Sequence, residues 1–312
     1  TWRVGDRLQL IGGASYSHLT FPQNADLPPI SSGEAARDLI SPKAGLLFQP
    51  WERGLLRASY TKSLGGLYFD NSVRLEPTEV AGFNQALRSL IPESVAGLVA
   101  GSEFETVAVG FDQSLPRGTW FGLEAERLTS DGERTVGALT NSLPLFFWPP
   151  DSAAGTRETL AFREHSLSAY AGQLLGNNFS LGARYRVSEA ELTERFPEIP
   201  ATATGLAQLE GNDRATLQQL SLTVNFHHRG GAFAQWESAW YHQENAGDSA
   251  ALADADFWQH NLIAGYRFAR RRAELRVGVL NLFEQDYQLN PLNLHAELPR
   301  ARTFVTSLRL NF

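Results

Sequence analysis

The chain has 312 residues, 43% of them hydrophobic, with a formal net charge of -7 and neither cysteine nor methionine. That length fits two ordinary domains or one large barrel; the acidic balance, without a basic tail, excludes a general nucleic-acid-binding role, and the missing thiols exclude disulfides and thiolate metal sites. No apolar run approaches the roughly 18 residues of a transmembrane helix, but a mean hydropathy of -0.25 does not exclude a membrane β-barrel, whose alternating strands average out as polar.

The first residues, TWRVGDRLQL, show no charged region followed by an apolar run. The expectation is a processed product or a piece of a longer chain, with any signal peptide outside it. From there, period-2 alternation predicts twelve strands, at roughly 6–20, 40–50, 54–64, 104–115, 118–129, 162–175, 178–191, 215–228, 231–245, 256–269, 272–284 and 301–312. The links between them alternate between short (51–54, 115–118, 176–178, 229–231, 269–272) and long (21–39, 65–103, 130–161, 192–214, 246–255, 285–300). Sorting of loop length by parity is a property of outer-membrane barrels, with short periplasmic turns and long extracellular loops. The fold expected is therefore all-β: a transmembrane antiparallel up-and-down β-barrel occupying 1–312 as one domain, or as the C-terminal part of a larger barrel. A soluble β-sandwich would have to explain both the parity and the one-sided Leu/Val/Trp faces.

The face assignments follow from the alternation. In 216–228, Leu220, Leu222, Val224 and Phe226 share one face, and Gln219, Ser221, Thr223, Asn225 and His227 share the other. In 179–188, Arg184 and Arg186 stand together opposite Phe179, Leu181, Tyr185 and Val187. Charge on one face and apolar residues on the other suit a water-filled lumen and a lipid-facing wall. By parity the lumen-facing candidates are Lys43, Arg57, Glu124, Glu126, Arg184, Arg186, Glu237, Arg276 and Arg309, with Asp112, Arg267 and Glu274 beside them. Mixed signs suit neighbours that balance one another, or a wall that bonds to a polar solute or a plug; an anion filter would be uniformly basic.

Aromatic residues collect at both strand ends. Trp51, Phe111, Phe179, Phe226, Phe268 and Phe312 fall beside short turns, and Tyr16, Phe21, Trp240, Trp258 and Phe304 nearer the long links, as two interfacial girdles require. Within 65–103, Val80, Phe83, Leu87 and Leu90 at helical spacing after Thr78 predict a helix over 77–91 that folds over or into the barrel mouth, read as a structural cap on the long link in preference to a gate.

Two stretches resemble TonB-dependent outer-membrane receptors. ISPKAGLLFQPWERGLLRASYTKSLGGLYFDNSVRLEPTEV (40–80) has the family's Pro-containing strand, short turn and second strand, leading to a Pro-Glu-like motif at Leu75-Glu76-Pro77-Thr78-Glu79. VGVLNLFEQDYQLNPLNLHAELPRARTFVTSLRLNF (277–312) is similar to its closing hairpin, with Asn281, Leu282, Phe283 and Tyr287, then Arg302-Thr303-Phe304 and a terminal Phe. The resemblance covers the last dozen strands of a barrel of about 22. It implies energy-coupled solute uptake across the Gram-negative outer membrane, with outer-membrane lipid, the barrel-assembly machinery and an unidentified small solute as partners, and the TonB complex through a plug not present in this sequence. Phe304, Leu308, Leu310 and Phe312 would form the signal read for insertion. The 104–115 strand looks like the one that follows the Pro-Glu motif directly in the family; here some of 65–103 intervenes. The alternative is an export or diffusion porin fused to tetratricopeptide repeats, without TonB coupling.

Other chemistry finds little support. Asp248, Asp254 and Asp256 lack calcium-loop spacing, and the histidines form no H-x-x-x-H or H-E-x-x-H pair. His165 with Ser166, or His242 with Glu244, carries no defining catalytic motif. The expectation is a protein without enzyme activity, metal or cofactor.

Overall fold

Strands form wherever the alternation is strong. The computed structural model describes residues 1–24, 31–65, 79–81, 83–84, 101–140, 152–202, 210–248, 254–268, 272–286 and 301–310. In chain order these give β1 (Trp2–Val4), β2 (Leu8–Asn24), β3 (Ser31–Phe48), β4 (Gly54–Leu64), β5 (Glu79–Val80), β6 (Phe83–Asn84), β7 (Glu103–Leu115) and β8 (Thr119–Thr140). They continue as β9 (Ser152–Leu175), β10 (Phe179–Arg195), β11 (Gly211–His227), β12 (Ala232–Gly247), β13 (Ala255–Phe268), β14 (Ala273–Leu280) and β15 (Thr303–Leu310).

Thirteen of these make one sheet in which every strand pairs antiparallel with its neighbours in sequence, from β1 to β15, with only β5 and β6 set apart. This is the up-and-down connectivity of a barrel wall. Its two edges, β1 and β15, form no ladder with each other among the described residues. The twelve expected strands are all present; the three-residue β1, paired with Leu8–Leu10 of β2, is additional.

The structure corrects three expectations. First, four of the six long links are shorter than predicted, because strands run on: β8 and β9 together replace much of 130–161 and stay paired from Thr119↔Gln173 to Thr140↔Ser152, whereas the last link is longer, since β14 ends at Leu280 and β15 begins at Thr303. Second, 79–84 is not the start of a helix. Val80 pairs with Phe83 across a turn at Ala81, whose φ of 52° is left-handed. A spacing of i, i+3 brings side chains together on a helix, but a two-residue hairpin loop also sets i against i+3. Leu87 and Leu90 lie outside the described residues, as does Phe312. Third, Phe21 belongs to no outer girdle. It shares its face with Arg37 and Lys43, and a Cβ on Gly101 would come within 2.9 Å of its ring.

Ladder partners share a face, so the register assigns every side chain to the outer or inner surface. Outside, most strands carry an apolar run from near the short turn upward: Phe111, Val109 and Val107 on β7; Leu181, Ala183, Tyr185 and Val187 on β10; Leu222 and Leu220 on β11; on β12, β13 and β15 the run is interrupted by Ser238, His260 and Thr306. Each run ends at a polar residue: Glu105, Arg127, His165, Glu189, Gln218, His242 and Asp256 make up this rim. From Phe179 to Glu189 is ten residues of strand, about 33 Å along the chain and roughly 25 Å in height for strands inclined by about 40°. Where the rim shifts between neighbours it steps toward the short turns: Glu105 pairs with Thr129 while the rim residue of β8 is Arg127, and Glu189 pairs with Thr216 while that of β11 is Gln218. Inclined strands require such a drift. Tyr16, Tyr60, Tyr185, Trp240, Trp258 and Phe304 lie on the outer face toward the rim, and Phe48, Phe111, Phe121, Phe179, Phe226 and Phe268 near the short turns.

Above the rim, polarity reverses. On β8–β11 the outward residues become Asp131, Glu133, Arg163, Glu191 and Arg214, and the inward ones form a core of Leu160, Phe162, Ala190, Leu192, Ala215 and Leu217, against which Leu128 and Tyr241 pack.

Candidate functional site: the inner face

Below the rim the inner face is built from polar side chains that alternate with the apolar band. All nine expected residues lie on this face, and Arg57, Glu124, Arg184, Arg186, Glu237 and Arg309 each have an opposite charge or an amide within reach or on the facing rung. Lys43 stands opposite Gly13 and Thr61, and Glu126 stands one inward position above Glu124.

The densest cluster centres on Glu124. Arg57 of β4 donates through Nε to Asp112 Oδ2 at 2.6 Å and through Nη2 to Glu124 Oε1 at 2.8 Å. Glu124 Oε2 accepts from Arg184 Nη2 at 2.9 Å, and Tyr170 donates its hydroxyl to Asp112. One carboxylate thus joins arginines from β4 and β10, with β7, β8 and β9 lying between them in the sheet. Arg57 is only 8% exposed and Glu124 15%, so the charges are compensated locally, as burial demands. Next to it, Arg186 donates to Glu164 Oε1 at 3.1 Å and to Ser188 Oγ at 3.0 Å.

The remaining candidates lie on the β12–β15 side. Asn261 donates to Glu237 Oε2 at 3.4 Å. Arg267 donates to Glu274 Oε2 at 2.8 Å and stacks over Phe233, 4.3 Å from the ring centroid. Arg309 sits on the rung opposite Glu274, and Arg276 between Gly265 and Ser307. Sequence reasoning missed Tyr170, Glu164 and Ser168 (whose hydroxyl accepts from Arg184 Nη2 at 3.5 Å), since each stands alone in sequence and gains its meaning from the facing strand.

The inner face is not open throughout. The ends of the 65–102 link are fastened together, Gly65 N to Ser102 O at 2.7 Å and Gly101 N to Gly65 O at 3.0 Å. The β5–β6 hairpin lies lower, inside the wall. Arg57 lies over the Phe83 ring at 4.5 Å and its Nη1 donates to Ala81 O at 3.4 Å. The rung Arg57↔Gly110 is seven below Leu64↔Glu103, about 23 Å at the strand rise of roughly 3.3 Å. Val80, Ala81 and Phe83 are buried with Ala108 and packed by Ile11 and Leu47, all on inner positions. Burial of Val80 and Phe83 stabilises this seat by roughly 1.5–3 kcal/mol each.

Above the rim the inner face turns acidic around Glu158, Glu194 and Asp213, with Arg134 paired to Glu158. Burial pushes the Glu194 carboxyl above its ordinary range; Glu158 reinforces the shift, Arg134 opposes it, and Asp213 and Asp248 add smaller contributions. The acidic loop residues do not converge. Asp248 accepts from the Asn212 amide, Asp254 from the Asn245 amide at 2.9 Å, and Asp256 from Trp240 Nε1 at 3.0 Å. His165 and Ser166 occupy opposite faces of β9 and are not a pair. His242 lies 3.1 Å from both Glu244 and Asp256 and stacks on Trp240, on the outer rim rather than in a cleft.

No family model matches the chain, and no curated protein does. Solved structures similar to it include a deltaS2 mutant of the TodX monoaromatic hydrocarbon channel, 12% identical, covering 99% of this chain and 82% of that one with a TM-score of 0.35. The Pseudomonas putida toluene transporter TodX is also 12% identical, covering 98% and 80% with a TM-score of 0.35. The ferric-catecholate import receptor Fiu of E. coli K12, in an open form, is 12% identical with a TM-score of 0.36; the match covers 99% of this chain and 60% of the receptor. Likenesses this distant carry no argument about substrate or mechanism, which rest on the chain's own geometry.

Proposed function

We propose that this chain is the barrel wall of an outer-membrane transport protein, with solute passing along its inner face. The observation that carries the reading is the reversal of polarity at a common rim. Below it, β8–β11 are apolar outside and charged inside; just above it, the same strands are charged outside and carry an apolar core inside, with the acidic group of Glu158, Glu194 and Asp213 one inward position beyond. A protein bathed in one solvent has no need of such a reversal, whereas a strand leaving a bilayer for water does. The height of the band, roughly 25 Å, matches a bilayer's apolar layer, and the aromatic rows fit its two interfaces.

The resemblance to TonB-dependent receptors supports energy-coupled uptake as the form of this transport. By the same resemblance Phe304, Leu308, Leu310 and Phe312 serve as the signal for barrel assembly; Phe304, Leu308 and Leu310 face outward on β15 and are exposed. The second reading, a porin without TonB coupling, is favoured by one observation: the β5–β6 hairpin already occupies inner-wall space at mid-band, where a plug would sit. Reconstitution into proteoliposomes decides between them. Flux without an energy source supports the porin; passage only in cells with an intact TonB system supports the receptor. If the chain remained monodisperse without detergent, and its gel mobility did not change on heating, both readings would be lost.

A further inference from the structure

We propose that the β5–β6 hairpin is the constriction of this passage and that Phe83, buried in the wall, anchors it there, with Arg57 as the residue that positions the ring. The inference rests on the transport reading. Its basis is a seat in the wall that matches the hairpin position by position. A Cβ on Gly45 would lie 3.0 Å from Val80 Cγ1 and 3.2 Å from the Ala81 Cβ, and one on Gly110 would lie 3.0 Å from the end of the Phe83 ring. The inner face also has glycines at Gly13, Gly122, Gly172, Gly182, Gly265 and Gly278; Gly45 and Gly110 are the two on which the hairpin rests, at the separations of direct contact. Ile11, Leu47 and Ala108, apolar residues on inner positions, complete the seat. The Arg57 guanidinium covers the ring, and its remaining nitrogens are fixed by Asp112 and Glu124, so the clasp is itself held by the polar cluster.

A segment serving only as a brace would lie against the upper wall near its fastened ends. The hairpin lies at the Arg57↔Gly110 rung, seven below Leu64↔Glu103, at the height where the outer face is in mid-band. At that height the hairpin takes up space on the inner face, held by the buried Phe83 ring, and constrictions inside a barrel control permeation.

The absence of cysteine makes the test clean. A Gly45→Cys/Ala81→Cys pair brings two Cβ atoms to nearly the separation a disulfide uses, about 3.5–4.5 Å, and would carry the molecule's only disulfide. Single-channel conductance of the full chain in planar bilayers is the readout, with heat-modifiable migration showing that each variant is folded. Phe83→Ala is expected to raise conductance about twofold or more and to admit larger sugars in liposome swelling, and Gly110→Leu, which fills the seat, to do the same. Oxidising the cysteine pair in the Phe83→Ala background should return conductance toward the wild-type value, and reduction should release it. Folded variants that conduct as wild type does, or a pair that fails to cross-link in the folded protein, would overturn the inference. A cross-link that forms while no variant conducts at all would overturn the passage together with its constriction.

Discussion

The apolar band can be measured residue by residue with arginine as the probe. Leu222 lies on the outer face of β11, with Ala183 on one side and Ser238 on the other. Neither offers an arginine a charged partner. It stands four residues below the rim at Gln218, about 13 Å along the strand and roughly 10 Å in depth, close to the midplane of a 25 Å layer. Leu222→Arg should therefore cost the full midplane penalty, about 2–4 kcal/mol, and Leu220→Arg, at half that depth, about 1 kcal/mol. Thr216→Arg, beyond the rim and opposite Glu189 and Glu244, should cost about 0–0.5 kcal/mol. Ser221→Arg, adjacent in sequence but on the inner face, should stay below about 1 kcal/mol. The assay is reversible urea unfolding in phospholipid vesicles, with the folded fraction read from gel mobility before and after heating. If Leu222, Leu220 and Thr216 gave equal costs, all within about 0.5 kcal/mol as on an ordinary water-exposed surface, the placement of the band would be refuted.

Three further outcomes are expected. Glu124→Gln removes the charge shared by Arg57 and Arg184 and should cost about 2–3 kcal/mol, whereas Arg276→Gln, for which no ion pair is seen among the described residues, should stay within about 0.5 kcal/mol; the same unfolding titration separates them. Glu194 binds its proton more tightly in the folded than in the unfolded protein, so its contribution to stability is present below the unfolded carboxylate value and is lost as pH rises through the raised folded one; Glu194→Gln should match wild type in acid and be the more stable protein at neutral pH, and a parallel pH dependence for the two would contradict the assignment. Leu308→Asp should lower the yield of folded barrel in cells severalfold, a barrier of about 1 kcal/mol or more, while Arg309→Asn on the opposite face of β15 should leave the yield near wild type, as immunoblots of the outer-membrane fraction would show.

What the sequence displayed openly was the part of each strand that lies in the band. A period of two fixes the face of every residue once one apolar side is recognised, and Leu222 against Ser221 or Tyr185 against Arg184 needed no further information. The same rule failed above the rim for a physical reason. There Leu160, Phe162, Leu192 and Leu217 point inward and Arg163, Glu191 and Arg214 outward, so a reader following an apolar-outside pattern sees it dissolve and assigns a loop. The hairpin was hidden differently. Val80 and Phe83 are three apart, and only the left-handed Ala81, followed by glycine, distinguishes a turn from the first turn of a helix. The Glu124 cluster was half legible: its arginines and carboxylates were on the correct face, but which of them meet depends on the stagger of five strands, which parity does not contain.

The reversed packing above the rim has a consequence for how the molecule comes apart. One continuous set of hydrogen-bonded ladders is stabilised by two unrelated driving forces: anchorage in the apolar layer below, and an internal cluster of Leu160, Phe162, Leu192 and Leu217 above. Their response to conditions differs, because urea weakens burial from water directly, while the lower half loses its ordering only when the chain leaves the lipid. The sheet should therefore unzip from one end. In hydrogen exchange, amides of β9 around Leu160 would open at denaturant concentrations where those around Ala169 remain protected. A wall that is seamless in its backbone would behave as two cooperative units, with their boundary at Arg127, His165 and Glu189.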